Sequence, residues 1–410
     1  MSHDDGFPTV TSEEQYEVEM DVLREFGKVL NSPDFDPTRD IVLNRESHIK
    51  FLKRGLAEPL HASYISLEAS RPWIIYWILH ALDLLGERSL IETDFAPGVI
   101  DLLSQCQDEK TGGFGGGPGQ ISHLATTYAA VAALVTIGSE EALSIIDKDK
   151  MRNFLHSVKD DTSGGFRMHE EGETDIRGTY CAIAVASLLQ ILDDRITKKV
   201  GNYVKSCQTY EGGIAGEPGM EAHGGYSYCG LSALAILGIA EDYLNLDAFL
   251  DWLCRRQMRY EGGFQGRANK LVDSCYTFWQ GASYPLLCEI FRLSSSQFSE
   301  KIFVNQGPAQ MYVLLACQVS SPHGGLRDKP GKNPDFYHSC YALSGLAALQ
   351  YPTNRLTSKF VLGNESENLL ERNCVFYNCT VERVKFARSF FRNGDGEGKG
   401  VLRAYLDSDF

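Results

Sequence analysis

Three side chains of the kinds that bind transition metals lie in two nearby stretches of this sequence. Asp273 and Cys275 are two residues apart, and His338 follows at the corresponding point of the next copy of a repeat. Carboxylate, thiolate and imidazole are all ligands of Zn²⁺, and three protein ligands leave the fourth position of a tetrahedral ion open for a reactant. The pattern therefore predicts a catalytic zinc site, with a core cysteine and an internally paired histidine as the alternative.

Basic residues gather near the same stretches, in a chain whose formal net charge is −15. Arg267 and Lys270 precede the proposed ligands, and Arg177 and His223 stand at similar points of two earlier repeats. A local group of cations in an acidic protein indicates an anionic ligand such as a diphosphate. Salt bridges to the many nearby acids are the alternative explanation.

A repeated element sets the spacing of these residues. Two glycines followed by an apolar residue recur with 48 to 62 residues between successive copies. The five copies are Gly112-Gly113-Phe114, Gly164-Gly165-Phe166, Gly212-Gly213-Ile214, Gly262-Gly263-Phe264 and Gly324-Gly325-Leu326. Four of them follow a glutamine, namely Gln107, Gln208, Gln257 and Gln318. Most are also preceded by a segment with apolar residues at threes and fours, so each copy predicts a turn between two helices.

After each turn the chain enters a second, almost wholly apolar segment that opens with an aromatic residue. A sixth such segment, without a Gly-Gly turn, opens at residues 70–73, where a serine and a proline indicate a helix start. The aromatic openings are Trp73, Tyr128, Tyr180, Tyr228, Tyr276 and Tyr341. Helices that are apolar all round are buried. Six inner helices inside six outer ones are therefore expected, with the aromatic residues in a ring at one mouth.

The predicted fold is all-α, an α/α barrel of six helix pairs that occupies residues 46–392. An open solenoid of similar repeats is the rival architecture. Residues 1–45 are predicted to be an N-terminal extension, and the glycine-rich residues 393–410 a flexible C-terminal tail. Cys374 and Cys379 have a spacing that could bind a metal, although an incidental pair is the simpler interpretation.

Composition excludes several classes of protein. The acidic charge argues against nucleic-acid binding. Eleven scattered cysteines, most of them within apolar stretches, favour a reduced cytoplasmic protein over a disulfide scaffold. The acidic N-terminus has no visible leader, and the longest apolar runs are too short to span a bilayer. A cytoplasmic protein without a membrane span is therefore expected.

Several long motifs resemble the β subunits of protein prenyltransferases, and among these the farnesyl-transferring enzymes. The resemblance extends from about residue 46 to about residue 390 and weakens after about Thr353. Its motifs are Ser70-Arg-Pro-Trp-Ile-Ile-Tyr-Trp77, Gly112-Gly-Phe-Gly-Gly-Gly-Pro-Gly119, Gly219-Met-Glu-Ala-His-Gly-Gly-Tyr226, Glu261-Gly-Gly-Phe-Gln-Gly-Arg267, Asn269-Lys-Leu-Val-Asp273, Asp328-Lys-Pro-Gly-Lys332 and Asp335-Phe-Tyr-His338. The resemblance implies an α/α barrel that transfers farnesyl from farnesyl diphosphate to the cysteine of a C-terminal CaaX motif, in substrates such as small GTPases.

The same resemblance implies partners, cofactors and site residues. It implies an obligate helical α subunit, one Zn²⁺ on Asp273, Cys275 and His338, and Mg²⁺ near Asp328. The residues implied to hold the diphosphate are His223, Arg267, Lys270 and Tyr276. Those implied to line the isoprenoid cavity are Trp73, Tyr180, Trp279 and Tyr341, and further substrate contacts are implied for Trp77, Tyr226 and Cys229. Those implied to surround the peptide are His123, Glu173 and Arg177, near its carboxylate, and Tyr337, which forms a wall.

Three positions favour farnesyl over the longer geranylgeranyl group. The resemblance implies that Trp73 and Tyr341 form a bulky cavity floor, and that Asp328 stands where the type I geranylgeranyl enzymes have lysine. An indole fills volume that an extra five-carbon unit would need. The alternatives are a type I geranylgeranyltransferase β subunit, a terpene cyclase and a non-enzymatic α/α repeat protein. The Asp-x-Asp-Asp cluster expected of a cyclase does not occur in the sequence.

Overall fold

Six inner helices form a closed ring inside six outer helices in the computed structural model, which describes residues 7–293, 304–320, 322–351, 359–392 and 401–406. The outer helices are Arg45–Ala57, Ala96–Cys106, Lys148–Ser157, Val200–Cys207, Leu246–Cys254 and Gln306–Met311, the last continued by the π-helix Tyr312–Cys317. The inner helices are Arg71–Leu84, Leu124–Ile137, Ile176–Leu188, Gly224–Leu237, Tyr276–Trp279 with Ser283–Leu293, and Phe336–Gln350. The first inner helix packs against both the second and the sixth. The prediction of a closed α/α barrel is thus confirmed.

Burial explains the composition of the inner helices. Every residue of Leu124–Ile137 except Ala125 is buried. Such a helix has no side that faces water, because its neighbours in the ring and the outer helix cover it from all directions. The outer helices bury one face each, as in Lys148–Ser157, where Met151, Phe154 and Leu155 point inward.

The two glycines of each turn have different roles. Gly212 has a φ of 105°, a backbone conformation that residues with a side chain rarely adopt. A Cβ atom on Gly213 would lie 2.6 Å from the indole of Trp252, which belongs to the next outer helix. In the turn of the last repeat, a Cβ atom on Gly325 would lie 2.9 Å from Phe51, which belongs to the first outer helix. The turn therefore packs each repeat onto the next and closes the ring.

The glutamine before the turn joins neighbouring repeats by hydrogen bonds at Gln208, Gln257 and Gln318. The Gln257 side chain donates to the carbonyl of Asn305 at 2.8 Å and accepts from its N–H at 2.9 Å. Gln318, in the last repeat, accepts from the N–H of Asn44 at 2.8 Å. Because residue 44 precedes the first outer helix, this bond joins the last repeat to the first.

Lys159 takes the place of the glutamine in the one repeat that lacks it. Its ammonium donates to the carbonyls of Gly164 at 2.7 Å and Ile196 at 3.1 Å, and it lies 4.2 Å from the ring centroid of Phe166. The side chain is buried, and burial lowers the pKa of Lys159 to about 8. The sequence repeat thus continues through this position with a different donor.

Replacing Lys159 with glutamine is expected to raise the free energy of unfolding by about 1 kcal/mol at pH 7, because a buried charge becomes a neutral donor. The folded pKa lies below the unfolded one, so the unfolded state binds more protons and the stability of the lysine protein rises with pH above about 8. The advantage of glutamine should therefore shrink between pH 7 and pH 10. Denaturation midpoints at both pH values test this, and an advantage that grows with pH would contradict it.

The N-terminal extension is helical and packs on the barrel. Val10–Leu30 buries Val22 and Phe26 and contacts the π-helix of the sixth repeat. Its Gln15 side chain donates to the buried carboxylate of Glu261 at 2.7 Å. This segment is followed by the short helix Pro37–Asp40.

The C-terminal residues differ in part from the predicted flexible tail. Residues 393–400 and 407–410 lie outside the described residues, but Val401–Leu406 is a helix in which Leu402, Tyr405 and Leu406 are buried. Before it, residues 373–380 form a hairpin with strands Asn373–Cys374 and Cys379–Thr380, which we call the plug hairpin. Cys374 and Cys379 are cross-strand neighbours in this hairpin, and both are buried.

The remaining elements are short connections. They are the 3₁₀-helix Ala62–Ser70, the π-helix Ile91–Phe95, the helices Arg88–Leu90, Glu140–Ser144, Asp194–Thr197, Ala240–Tyr243, Glu365–Asn368 and Val381–Phe390, and the paired strands Phe166–Arg167 and Thr174–Asp175. Among the described helices, none has the length and apolar character needed to cross a membrane.

Candidate metal centre at the mouth of the barrel

The three proposed metal ligands meet at the N-terminal ends of the fifth and sixth inner helices. Cys275 directly precedes the helix Tyr276–Trp279, and His338 is the third residue of Phe336–Gln350. One carboxylate oxygen of Asp273 accepts the N–H of Cys275 at 2.8 Å, which holds these two ligands in a fixed relation. The ligand atoms of all three side chains lie within 4.8 Å of one another.

This geometry fits a zinc ion. A tetrahedral zinc has bonds of about 2.0–2.3 Å, so its ligand atoms stand roughly 3.5 Å apart. The Nε2 atom of His338 is 3.4 Å from a carboxylate oxygen of Asp273, which is close to that spacing. A carboxylate, a thiol and an imidazole leave one tetrahedral position for an incoming ligand.

Asp335 orients the histidine, and the sequence interpretation missed it as a functional residue. Its carboxylate bonds Nδ1 of His338 at 2.6 Å and accepts the N–H of the same residue at 2.7 Å. The first bond leaves Nε2 facing Asp273. A carboxylate behind a ligating histidine is a recurrent feature of zinc sites. The signal in the sequence was an aspartate at the helix N-cap, three residues before the histidine.

The electric field at this point favours a cation. Burial lowers the pKa of His338, but hydrogen bonds and charges from Asp273 and Asp335 outweigh it and raise the pKa to about 10. Burial and the neighbouring Asp273 carboxylate raise the pKa of the Cys275 thiol well above its usual value. Two carboxylates therefore stabilise positive charge between them, and the thiol needs a cation beside it in order to ionise.

Replacing Asp335 with asparagine is expected to weaken zinc binding about tenfold, because the charged partner of the His338 ring is lost. Asparagine is also a good helix N-cap, so the helix should remain intact. Competition with a chelator measures the affinity. Asp175→Asn, which changes the N-cap of the third inner helix, is the matched control and should leave it unchanged. Equal affinity in both variants would contradict the orienting role.

A second group of polar residues lies beside the proposed ligands. The Tyr276 hydroxyl and Nε2 of His223 are 2.9 Å apart. Nδ1 of His223 accepts the N–H of Gly225 at 3.1 Å, and burial together with Arg267 lowers the pKa of this histidine. A neutral His223 therefore carries its proton on Nε2, where it can donate toward the mouth. Gly266 has no side chain, so the Tyr276 ring can lie against the backbone there.

Two of the predicted cationic side chains already form ion pairs with neighbouring carboxylates. Arg267 is 2.6 Å from the carboxylate of Glu221, and Arg177 forms an ion pair with Asp175. The alternative of local salt bridges thus holds for both arginines, whereas Lys270 is exposed. A further source of positive potential is the barrel itself. The N-terminal ends of the inner helices point to this mouth, and helix N-termini favour anions.

Asp328 adjoins the ligands through backbone contacts. Its carbonyl accepts the N–H of Ser274 at 2.9 Å and the hydroxyl of Tyr312 at 3.0 Å. Its carboxylate is bonded by the ammonium of Lys329 at 2.5 Å. Burial and the nearby Asp273 raise the pKa of Asp328, so this carboxylate also sits in a field that favours a cation.

Aromatic side chains form a well below the mouth. Tyr337 lies between the well and the ligands, because its hydroxyl accepts the indole N–H of Trp279 at 3.1 Å and its ring centroid is 5.0 Å from that of His338. The ring centroids of Trp279 and Tyr341 are 4.4 Å apart, and those of Trp73 and Tyr128 are 5.7 Å apart. The other neighbouring pairs are Tyr128–Tyr180, Tyr180–Tyr228, Tyr228–Trp279, Tyr337–Tyr341, Trp77–Tyr337 and Trp73–Trp77.

The predicted membership of Tyr276 in this ring is wrong. Tyr276 is the first residue of its helix and contacts His223 at the mouth, whereas Trp279, one turn deeper, packs against Tyr228 and Tyr341. The reason is that this helix begins at Tyr276, while the helix that contains Tyr228 begins four residues before its ring aromatic. The spacing from the Gly-Gly turn is also shorter in this repeat.

The remaining predicted residues lie around the second, third and fourth inner helices. Nδ1 of His123 accepts the N–H of Ala125 at 3.1 Å, and its ring is 5.6 Å from His169, a neighbour that the sequence interpretation did not single out. The Arg177 guanidinium is 5.8 Å from the ring of Tyr226. Glu173 is exposed beside this group, and Cys229 is buried below it.

Known proteins share both the sequence and the fold. A model of the prenyltransferase alpha-alpha toroid domain matches residues 43–377. The protein farnesyltransferase subunit beta of Arabidopsis thaliana is 42% identical, over 93% of this chain and 90% of its own length. The geranylgeranyl transferase type-1 subunit beta of the same plant is 31% identical, over 78% and 88%. The Candida albicans protein geranylgeranyltransferase-I complexed with GGPP is 22% identical with a TM-score of 0.68, over 86% of this chain and 100% of that chain, and shares the fold.

Proposed function

The chain belongs to the family of protein farnesyltransferase β subunits, and we propose that it transfers a farnesyl group from farnesyl diphosphate to the cysteine thiol of a C-terminal CaaX motif. The observation that carries the proposal is that Asp273, Cys275 and His338 come together next to the aromatic well, with Tyr337 in contact with both. Prenyl transfer to a thiol requires a metal that binds the sulfur and, next to it, an apolar cavity that binds the isoprenoid.

The reaction forms a carbon–sulfur bond and breaks a carbon–oxygen bond. The substrate sulfur attacks C1 of the isoprenoid, the diphosphate leaves with the electron pair of the C1–O bond, and the thiol proton passes to solvent. Zinc held by Asp273, Cys275 and His338 would stabilise the thiolate form of the substrate cysteine, because the ordinary pKa of a cysteine thiol is about 8.5. Asp335 would keep the His338 ring in place throughout.

Charge that develops on the departing diphosphate needs donors at the mouth. His223 and Tyr276 are preorganised donors, because each has its other side packed against backbone. Lys270 and the helix N-termini add positive potential, and Arg267 would exchange Glu221 for the diphosphate. Fixed donors aimed at a leaving group stabilise the transition state more than the ground state. Asp328 would hold a Mg²⁺ ion against the same group, with Lys329 displaced from its carboxylate.

The well supports farnesyl as the preferred isoprenoid. Trp73 is packed between Trp77 and Tyr128, where its indole occupies space that a longer chain would need. The greater identity to the farnesyl relative than to the type-1 geranylgeranyl relative points the same way. A type I geranylgeranyltransferase β subunit remains the outcome that the transfer experiment would reveal if this argument fails.

The peptide and partner assignments are part of the same proposal. His123, Glu173 and Arg177 would surround the C-terminal carboxylate of the peptide, with Tyr337 as a wall beside the metal. A helical α subunit would complete the enzyme, whose substrates include CaaX proteins such as small GTPases. Eleven free cysteines suit work in a reducing compartment such as the cytoplasm.

The deciding experiment compares labelled C15 and C20 diphosphates as donors to a CaaX peptide, with the α subunit present. We expect transfer of C15 to dominate and about one tightly bound zinc per chain. A terpene cyclase or a non-enzymatic repeat protein would bind no zinc and transfer neither lipid. Equal transfer of both lipids would contradict the choice of farnesyl while leaving prenyl transfer intact.

Asp328→Lys is expected to reduce the dependence of the rate on added magnesium, because the new ammonium would offset diphosphate charge in place of the ion. The rate without magnesium should rise several-fold relative to the unmodified enzyme. Asp251→Lys, on an outer helix, is the control for added charge. An unchanged magnesium titration in Asp328→Lys would argue against the assignment.

A further inference from the structure

The plug hairpin closes the barrel beneath the aromatic well. Its four loop residues 375–378 are each at most 1% exposed. The N–H groups of Tyr377 and Asn378 both bond the carbonyl of Cys374, and Asn378 has a φ of 52°, which asparagine tolerates better than most residues. The loop thus has a defined backbone conformation, with its remaining carbonyls directed at the barrel wall.

Four successive carbonyls of this loop each accept a tyrosine hydroxyl from a different inner helix. The pairs are Tyr76 with Asn378 at 2.6 Å, Tyr128 with Tyr377 at 2.7 Å, Tyr180 with Phe376 at 3.2 Å and Tyr228 with Val375 at 3.0 Å. The first four inner helices in ring order therefore bond loop residues in reverse chain order. Three of these tyrosines belong to the aromatic ring, so the hydrogen bonds tie one arc of the well to the hairpin.

Other contacts hold the hairpin from below and from the side. Ser232 donates to the carbonyl of Phe376 at 2.9 Å, and the Tyr377 hydroxyl bonds Ser187 at 2.7 Å. The C-terminal helix supports the far face, where the Tyr405 hydroxyl donates to the carbonyl of Asn373 at 2.8 Å. The hairpin is therefore packed between the well and the C-terminal helix.

We propose that the plug hairpin is the floor of the lipid well, and that the hydroxyl groups bonded to its carbonyls limit the length of isoprenoid that the enzyme accepts. This inference rests on the proposed function and adds a determinant of lipid length outside the well's own side chains. Paired carbonyls give the lipid an apolar floor, whereas an unpaired buried carbonyl is unfavourable and draws the loop or a water molecule toward a new partner. Loss of a donor should therefore loosen and deepen the floor.

Two substitutions remove single donors without changing a cavity-lining side chain assigned to the substrate. Tyr228→Phe removes the hydroxyl that bonds the carbonyl of Val375, and Tyr76→Phe removes the one that bonds the carbonyl of Asn378, while both variants keep an aromatic ring. With the α subunit present, the ratio of kcat/KM for C20 diphosphate to that for C15 diphosphate should rise at least threefold in each variant. A merely structural effect would lower both values together and leave the ratio unchanged.

Tyr203→Phe is the matched control, because Tyr203 is a buried tyrosine of an outer helix whose hydroxyl donates to the carbonyl of Thr174 rather than to the hairpin. Its C20 to C15 ratio should equal that of the unmodified enzyme. If the unmodified enzyme transfers C15 and the ratios of Tyr228→Phe and Tyr76→Phe do not move, the hairpin inference is wrong and the proposed function stands. If the unmodified enzyme transfers neither lipid, the proposed function and the inference fail together.

Discussion

Replacing Cys275 with alanine is expected to remove the bound zinc and to lower the rate of prenyl transfer at least about a thousandfold. Cys275 supplies the softest of the three ligands, and Asp273 with His338 alone would leave two open positions. Without the ion the substrate sulfur reacts as a thiol rather than as a thiolate, and its position above the well is lost. Zinc content per chain and single-turnover transfer at saturating lipid measure the two effects separately.

Cys340→Ala is the matched control for this experiment. Cys340 is a fully buried cysteine on the sixth inner helix, two residues after His338, and is not one of the three ligands. It should keep its zinc and most of its activity, although a small cavity costs some stability. If Cys275→Ala retained one zinc and normal transfer, the metal site and the mechanism would both be wrong.

The repeat made the fold predictable, because its signals act locally. Positive φ at one glycine and close packing at the next leave the same residue types in five places, as Gly212 and Gly213 illustrate. Each inner helix is likewise buried on all sides, so its sequence is almost wholly apolar. One of these repeats bonds its turn with a different side chain. Lys159 bonds the turn as glutamine does elsewhere, which a search for glutamine cannot find.

The meeting of Asp273, Cys275 and His338 was predictable because these residues occur at nearby points of neighbouring repeats. Asp335 was missed, since an aspartate before a helix is explained well enough by capping. Only the bond to Nδ1 of His338 distinguishes an orienting carboxylate from an ordinary helix cap. Tyr276 shows the converse error, because an equivalent place in the repeat did not mean an equivalent depth in the barrel.

The plug hairpin was beyond the reach of sequence reasoning. Its residues follow the last repeat, carry no repeat signal and were interpreted as an incidental pair of cysteines. The tyrosines that bond it look like ordinary members of a buried ring, and each is about 150 to 300 residues from its partner, for example Tyr228 and Tyr76. Contacts between backbone carbonyls and distant hydroxyls leave no pattern in the residues that provide the carbonyls. The floor of the well therefore had to be read from the structure.

Trp73→Thr is expected to change the preferred lipid from C15 to C20, with a shift in the ratio of kcat/KM values on the order of a hundredfold. The indole packs against Trp77, Tyr76 and Tyr128, so its removal opens space in the well beside the first two inner helices. C15 transfer should fall only modestly, because the shorter chain still reaches the metal. Initial rates with each lipid at a fixed peptide concentration give the ratio.

Trp73→Phe provides a graded comparison, since it keeps an aromatic ring and removes less volume. Its ratio should lie between those of the unmodified enzyme and Trp73→Thr if the length limit is set by filled volume. The hairpin inference adds a second condition, because the space opened at Trp73 ends on the same floor. Combining Tyr228→Phe with Trp73→Thr should then raise the ratio beyond that of either variant. If the double variant matches Trp73→Thr, the indole alone sets the length, and the plug hairpin has no part in lipid selection.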